Sequence, residues 1–388
     1  MADPRADMPS PAWAPRFLKI AAAIVAGAAL LVAAINLVAF HFITQPAYAT
    51  IAQLLDGYGR TYKPILHDTL QPKVVAFGAS WVRDSFDAEV LSAQLGKPAF
   101  NHAVSGGQPY ENRRFLESAL AANPNIDTVI LNVDSFLLRP HGIRFGYGFD
   151  ESLLNVAPDG TPNRTVALSR AYAVTLSGAA IGANIDLLRT IVRLGSGETK
   201  EDVAPSYERR NFATARIRHP REPATTAMID EAVAAFGAPV DERPFAELER
   251  ALDAVCSRDI TVALFFVPHL MSSEGSATIR EKLAALAVLR ARAPACRAKL
   301  SLYDFDYPNA VTLEDRTNPG LSLYWRPDGH PRPTVGQLMA ARMFGTPFPA
   351  GTAPELPAEW GVELLRNPAA VDWLVQRARW QVQATGGT

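Results

Sequence analysis

Apolar and polar positions along this chain fall into three regimes. From Ile20 to Ile43 the apolar positions run almost unbroken: no residue is charged, and only Asn36 and His41 are strongly polar. A hydrocarbon core of about 30 Å needs roughly 20 helical residues, so the pattern predicts a membrane-spanning helix over 20–43, with membrane lipid as its partner. Ala47-Tyr48-Ala49 leaves a cleaved signal peptide open, although the apolar run exceeds the roughly 7–15 residues of a signal h-region. Arg5, Arg16 and Lys19 precede the span, whereas Arg60 and Lys63 follow it at a distance. That bias predicts a short cytoplasmic N-terminus over 1–19 and a single-pass protein of the inner (cytoplasmic) membrane, with the bulk of the chain periplasmic.

After a polar connector (44–72), short apolar runs alternate with helical periodicity. Val74–Phe77, Ala99–Val104, Thr128–Val133, Ile260–Val267 and Leu300–Phe305 read as strands, several with the continuous β-branched or apolar character of strands buried on both faces. Helices are expected at Pro109–Ala122, at Phe245–Val255, over 276–292 and from Pro333 through Ala341. Five strands alternating with helices predict an α/β fold, a doubly wound, flavodoxin-like parallel sheet of order 2-1-3-4-5. This domain is divided between 73–138 and 245–345.

The intervening stretch, 139–244, follows neither pattern and is read as an insertion. Within it Leu168 to Leu194 has helical periodicity and either packs on the core or lies against the bilayer. Arg209, Arg210, Arg216, Arg218 and Arg221 form a basic run, read as a solvated surface or a site for an anion or glycan. The C-terminal extension, 346–388, carries Leu364, Leu365, Trp373, Leu374 and Trp380 as an amphipathic helix that should dock on something.

Composition changes little in this picture. A formal net charge of −1 supplies no field for steering nucleic acid, and no nucleic-acid partner is expected. Cys256 and Cys296 each precede a predicted strand, and those strands are expected neighbours. The two are a candidate disulfide, or else two small buried residues. No metal-ligand spacing, Walker loop or dinucleotide fingerprint is present, so neither metal nor cofactor is expected.

In an open α/β sheet the chemistry sits beyond the carboxyl ends of the strands. That rule singles out Gly78–Ser80, Ser105–Gly107, Asn132–Asp134, Pro268-His269 and the loop ending Asp328-Gly329-His330. In order and placement these resemble the blocks of the SGNH/GDSL hydrolases. VVAFGAS at 74–80 is similar to the first block, with Ser80 as nucleophile and Ala79 where the family carries Asp. NHAVSGG at 101–107 is similar to the second, in which Gly106 would complete an oxyanion hole. VILNVDSF at 129–136 occupies the third, where the family's donor Asn is replaced by Asp134, with Asn132 two residues earlier. PDGHP at 327–331 is similar to the last, with His330 as base and Asp328 as its orienting acid. The family's usual spacing is D-x-x-H; the shorter D-x-H resembles its polysaccharide acyltransferase-like members. The resemblance covers about 72–137 and 259–345.

What the resemblance implies is acyl transfer: a membrane-anchored serine esterase or O-acyltransferase acting on ester groups of envelope or exported polysaccharide. Four candidates remain for the oxyanion position and the pocket. Since an ionised carboxylate would repel the oxyanion, either Asn132 is the donor, Asp134 is held protonated, or the hole is incomplete. Arg83 would meet an anionic substrate group or stay on the surface, and His269 would line the pocket or serve the structure. The other reading is a catalytically inactive scaffold subunit of a membrane assembly, with protein partners on the insertion and C-terminal helix. Asp134 in the Asn position favours it.

Overall fold

The computed structural model describes residues 14–43, 45, 59–137, 146, 148–198, 225–236, 245–269, 277–314, 322–326, 329–349 and 360–384. The Arg run at 209–221, the Ala47-Tyr48-Ala49 site and Asp328 lie outside them.

Five short apolar runs become the parallel strands β1 (Val74–Phe77), β2 (Ala99–Asn101), β3 (Thr128–Asn132), β4 (Thr261–Phe266) and β5 (Lys299–Asp304). Their residues alternate between two cores: Val75, Phe77, Val129 and Leu131 point to one, Val74, Ala76 and Ile130 to the other. Burial on both faces is what a continuous apolar run requires of a strand. The expected order is met for these five and extended at one edge, giving β2-β1-β3-β4-β5-β6. The added strand, β6 (Val362–Glu363), pairs antiparallel with β5 through Asp304↔Val362 and Tyr303↔Glu363.

The described residues form twelve α-helices besides the sheet. In chain order they are α1 (Ala14–Ile43), α2 (Lys63–Leu70), α3 (Ser80–Ser85), α4 (Ala88–Leu95), α5 (Pro109–Ala122) and α6 (Val166–Thr175). There follow α7 (Gly178–Gly195), α8 (Thr226–Ala234), α9 (Ala246–Cys256), α10 (Ile279–Arg292), α11 (Pro333–Phe344) and α12 (Ala370–Ala384). Side chains of α2, α5, α9, α10 and α12 fill one core, and those of α3, α4 and α11 fill the other. On that second face α11 approaches the end of α3 backbone to backbone. A Cβ at Gly336 would lie 1.9 Å from the Ser85 carbonyl oxygen, so only glycine permits the approach.

Several elements depart from the reading of the sequence, each for a local reason. β2 stops at Asn101 instead of Val104 because the Asn101 carboxamide turns inward. Its Nδ2 donates to the carbonyls of Val82, Arg83 and Phe86, and its Oδ1 accepts from the Ala103 amide. The apolar stretch 168–194 is two helices, parted at Leu176-Ser177. The carbonyls of Thr175 and Ser177, left open by the break, accept from Asn36 Nδ2 of α1 at 3.3 and 3.2 Å. The C-terminal helix starts only at Ala370. Asn367 accepts from the Ala369 and Ala370 amides, and Leu364 belongs instead to the edge beside β5, its amide donating to Leu302 O at 2.7 Å.

Helix α1 has 30 residues, about 45 Å, and is long and apolar enough to cross a membrane. Cys256, at the end of α9, and Cys296, at the entry to β5, form a disulfide with their Cα atoms 4.4 Å apart. They face each other because β4 and β5 are neighbours.

Candidate active site

Strand β1 delivers the chain through Gly78 and Ala79 into α3, whose first residue is Ser80. A Cβ at Gly78 would stand 2.4 Å from Val82 Cγ2 and 3.1 Å from Asn132 Cβ, so glycine lets this turn close against β3. The loop after β2 lies directly on it: Val104 N–H donates to Gly78 O at 3.1 Å. A Cβ at Gly107 would be 2.9 Å from that same carbonyl. Gly106 takes the left-handed conformation (φ +60°) that favours glycine. The amides of Ser80 and Gly106 donate to no acceptor among the described residues, which leaves both N–H groups for an incoming oxygen.

On the far side of the sheet's edge, a tight turn presents His330. Gly329 N–H donates to Arg326 O at 2.9 Å and Arg326 N–H to His330 O at 2.8 Å, while Trp325 bridges to Pro331. Trp325 is fully buried, its indole N–H donating to Val311 O at 2.6 Å, and so roots the turn in the core. His330 Nε2 comes to 3.0 Å from Ser80 Oγ. The candidate nucleophile and base are within hydrogen-bond reach, 250 residues apart in sequence.

Trp81, next to Ser80, stacks on the His330 ring (centroids 5.2 Å, 30° between planes) and touches His269 on another side (4.5 Å, 53°). His269 is therefore behind Trp81, buried, not lining an open pocket. Its amide donates to Asp306 Oδ1 at 3.2 Å, and its Nδ1 lies 3.4 Å from the same oxygen. Burial would raise the Asp306 carboxyl, yet the buried Lys282 ammonium, 3.3 Å away, and the His269 contact outweigh it and hold Asp306 below its ordinary value. Burial pushes the adjacent Asp304 up to about 6, against the pull of Lys282.

The third loop is knitted beneath the nucleophile turn. Ala79 N–H donates to Ser135 Oγ at 3.0 Å, and Ser135 Oγ donates in turn to Asn132 Oδ1. Asn132 Nδ2 donates to Asp134 Oδ2 at 2.7 Å and to Phe265 O at 3.4 Å. Both hydrogens of the Asn132 amide are thus engaged, and it has none to offer an oxyanion. Asp134 Oδ2 also accepts from Val267 N–H at 2.9 Å, and its Oδ1 is buried with no partner. Burial pushes this carboxyl above its ordinary value; His269 opposes the shift and the Asp306 charge adds to it. Of the candidate oxyanion donors, the Gly106 and Ser80 amides have no acceptor among the described residues, whereas Asn132 and Asp134 are bonded into the support.

Arg83 is neither a surface residue nor a pocket cation. It is buried in a two-pronged ion pair with Asp84 (2.7 and 3.1 Å), which Arg326 also approaches at 3.3 Å. Asp87, just past the end of α3, caps α4 by accepting from the Glu89 and Val90 amides.

Two residues of the connector matter more than the sequence suggested. Arg60 pairs with Glu111 and donates to Ser105 O at 2.9 Å, clamping the Gly106 loop from outside. Lys63 is fully buried and donates to Ala103 O; burial drops its ammonium to about 7, with Asp84 opposing the shift. Beneath it, His102 lies among Phe77, Phe100 and Phe115 with its Nδ1 unpartnered, and burial lowers it well below its ordinary value. Both cations were visible only as charges following the apolar span.

Among the described residues no group of three or more His, Cys, Asp or Glu side chains is gathered closely enough to hold a metal ion. No protein-family model, curated protein or solved structure matches the chain.

Proposed function

We propose that this chain is a membrane-anchored, SGNH-like serine esterase or O-acyltransferase acting on acylated envelope or exported polysaccharide. The observation that carries the proposal is the 3.0 Å contact between Ser80 Oγ and His330 Nε2, with the amides of Ser80 and Gly106 bonded to no acceptor among the described residues. Ser80 Oγ attacks the ester carbonyl carbon while His330 Nε2 takes its proton. Negative charge gathers on the former carbonyl oxygen, where the two amides meet it. The ester C–O bond then breaks, and His330 returns the proton to the leaving alkoxide. Water, or a sugar hydroxyl in a transferase, repeats the sequence on the acyl-serine. Asp328 is the assigned orienting acid for His330.

The polysaccharide substrate follows from location. Helix α1 supports an anchor in the inner membrane, and the Cys256–Cys296 disulfide supports an oxidising, periplasmic side for the domain.

A second reading, an inactive scaffold subunit, is favoured by one observation: the third loop offers no free donor, since Asn132 is engaged and Asp134 accepts. Labelling of the detergent-solubilised protein with a fluorophosphonate probe decides between the two, because such probes acylate only an activated serine. Labelling that is lost in Ser80→Ala and falls at least about 100-fold in rate in His330→Ala supports catalysis. Absence of labelling in folded wild-type protein overturns it in favour of the scaffold.

A further inference from the structure

Asn36 is one of two strongly polar residues in the apolar span, with His41, and it is fully buried against the turn between α6 and α7. Its Nδ2 takes the carbonyls of Thr175 and Ser177, and its Oδ1 accepts from Asn184 Nδ2 at 2.6 Å. Asn184 also donates to the Tyr62 hydroxyl at 3.1 Å. Polar groups satisfied helix to helix in this way are how spans associate within lipid. The joint fixes the depth of the turn. Asn36 is seven residues before Ile43, the end of α1, so the α6–α7 turn lies about 10 Å back along the span.

The hairpin is built for that depth. From Ala171 to Ile185 the sequence carries no charge. On α6, Ala173 and Val174 pack into the core, while Leu168, Tyr172 and Leu176, spaced four apart on one face, are 75%, 59% and 48% exposed. At the same level α1 exposes Leu37 and Val38. An apolar row of this kind, continuous with a span, has lipid as its occupant.

We propose that the α6–α7 hairpin is a second membrane element, dipping alongside α1 into the adjoining bilayer leaflet with Leu168, Tyr172 and Leu176 in contact with lipid. The inference rests on α1 being a membrane anchor. A burial of about 5–10 Å is what interfacial helices reach. Two attachments fix the domain's orientation on the membrane, where one helix on a connector would leave it free to swing. The domain would then work at a set height and attitude above the lipid, suited to a chain or glycan arriving along the surface.

The test uses full-length protein in phosphatidylcholine–phosphatidylglycerol vesicles. Both native cysteines are in the disulfide, so a thiol-reactive NBD dye labels only an introduced cysteine. Labels at Tyr172→Cys and Leu176→Cys are compared with Leu30→Cys on α1 and Leu313→Cys, an exposed position in the loop after β5. Nitroxide-bearing lipid should quench the labels at 172 and 176 several-fold more than the one at 313, and iodide should quench them less. If 30 is quenched by lipid while 172 and 176 behave like 313, the hairpin proposal falls, the anchor stands, and the row is left to a protein partner. If 30 is itself open to iodide and unquenched by lipid, the anchor falls and the hairpin with it.

Discussion

Replacing Lys63 by methionine isolates one buried charge and gives a stability difference that changes with pH. Lys63 is fully buried, and its ammonium titrates at about 7 in the folded chain against an ordinary 10.5. Between those values the unfolded chain holds the proton and the folded one does not, so stability rises with pH by about 1.4 kcal/mol per pH unit. The Lys63 contribution is fully present above about pH 10.5 and is lost as pH falls to about 7, a total of about 5 kcal/mol. Methionine keeps the stem's volume and removes the charge, and it forfeits the bond to Ala103 O, about 1–3 kcal/mol. The variant should therefore be more stable than wild type by about 2–4 kcal/mol near pH 7 and equal or less stable near pH 10.5. Urea unfolding followed by tryptophan fluorescence in mild detergent, at about pH 7, 8.5 and 10, measures the difference; groups common to both proteins cancel. A difference that stays constant across this window, or a variant less stable at pH 7, refutes the reasoning.

Asp134→Asn keeps an acceptor for Val267 N–H and Asn132 Nδ2 and removes a carboxyl raised by burial. The wild-type contribution is present at acid pH and lost as pH rises through the folded value, so the variant should gain stability over wild type at pH 8 relative to pH 4, read from thermal melts at both. Replacing Cys256 and Cys296 together by alanine opens a loop of sequence separation 40 and should cost about 4 kcal/mol in urea unfolding, a cost absent when wild type is assayed under reducing conditions.

Much of the fold was legible because its strands are buried on both faces. Runs such as Thr128–Val133 and Ile260–Val267 need no partner to be recognised, and the rule about strand ends then located Ser80 and His330 together. The disulfide was one of two readings of Cys256 and Cys296, and the adjacency of β4 and β5 decides between them. β6 was not legible: two residues carry no periodicity, and their pairing depends on where α12 leaves them. The break between α6 and α7 was hidden because the apolar spacing continues across it, and the donor that satisfies the open carbonyls is Asn36, some 140 residues away. Arg60 and Lys63 stood in a polar connector, where a charge reads as solvated. Their burial is decided by tertiary contacts with the Ser105 and Ala103 carbonyls. Arg83 shows the same limit, since its neighbour Asp84 neutralises it inside the core. Asn132 was correctly placed at a strand end, but a sequence cannot say which way a carboxamide points.

The backbone seam at Gly336 has a consequence in time. Ser80 emerges early from the ribosome, and β1, β2 and β3 with their loops can assemble around it at once. His330 arrives 250 residues later and is held by a turn whose following helix, α11, must first dock on the end of α3 through the gap that Gly336 leaves. Closing so long a loop is the slow part of folding a sheet like this. The pairing of serine with histidine is therefore among the last events of synthesis, and a chain truncated between β5 and His330 keeps all five parallel strands but lacks the partner of Ser80.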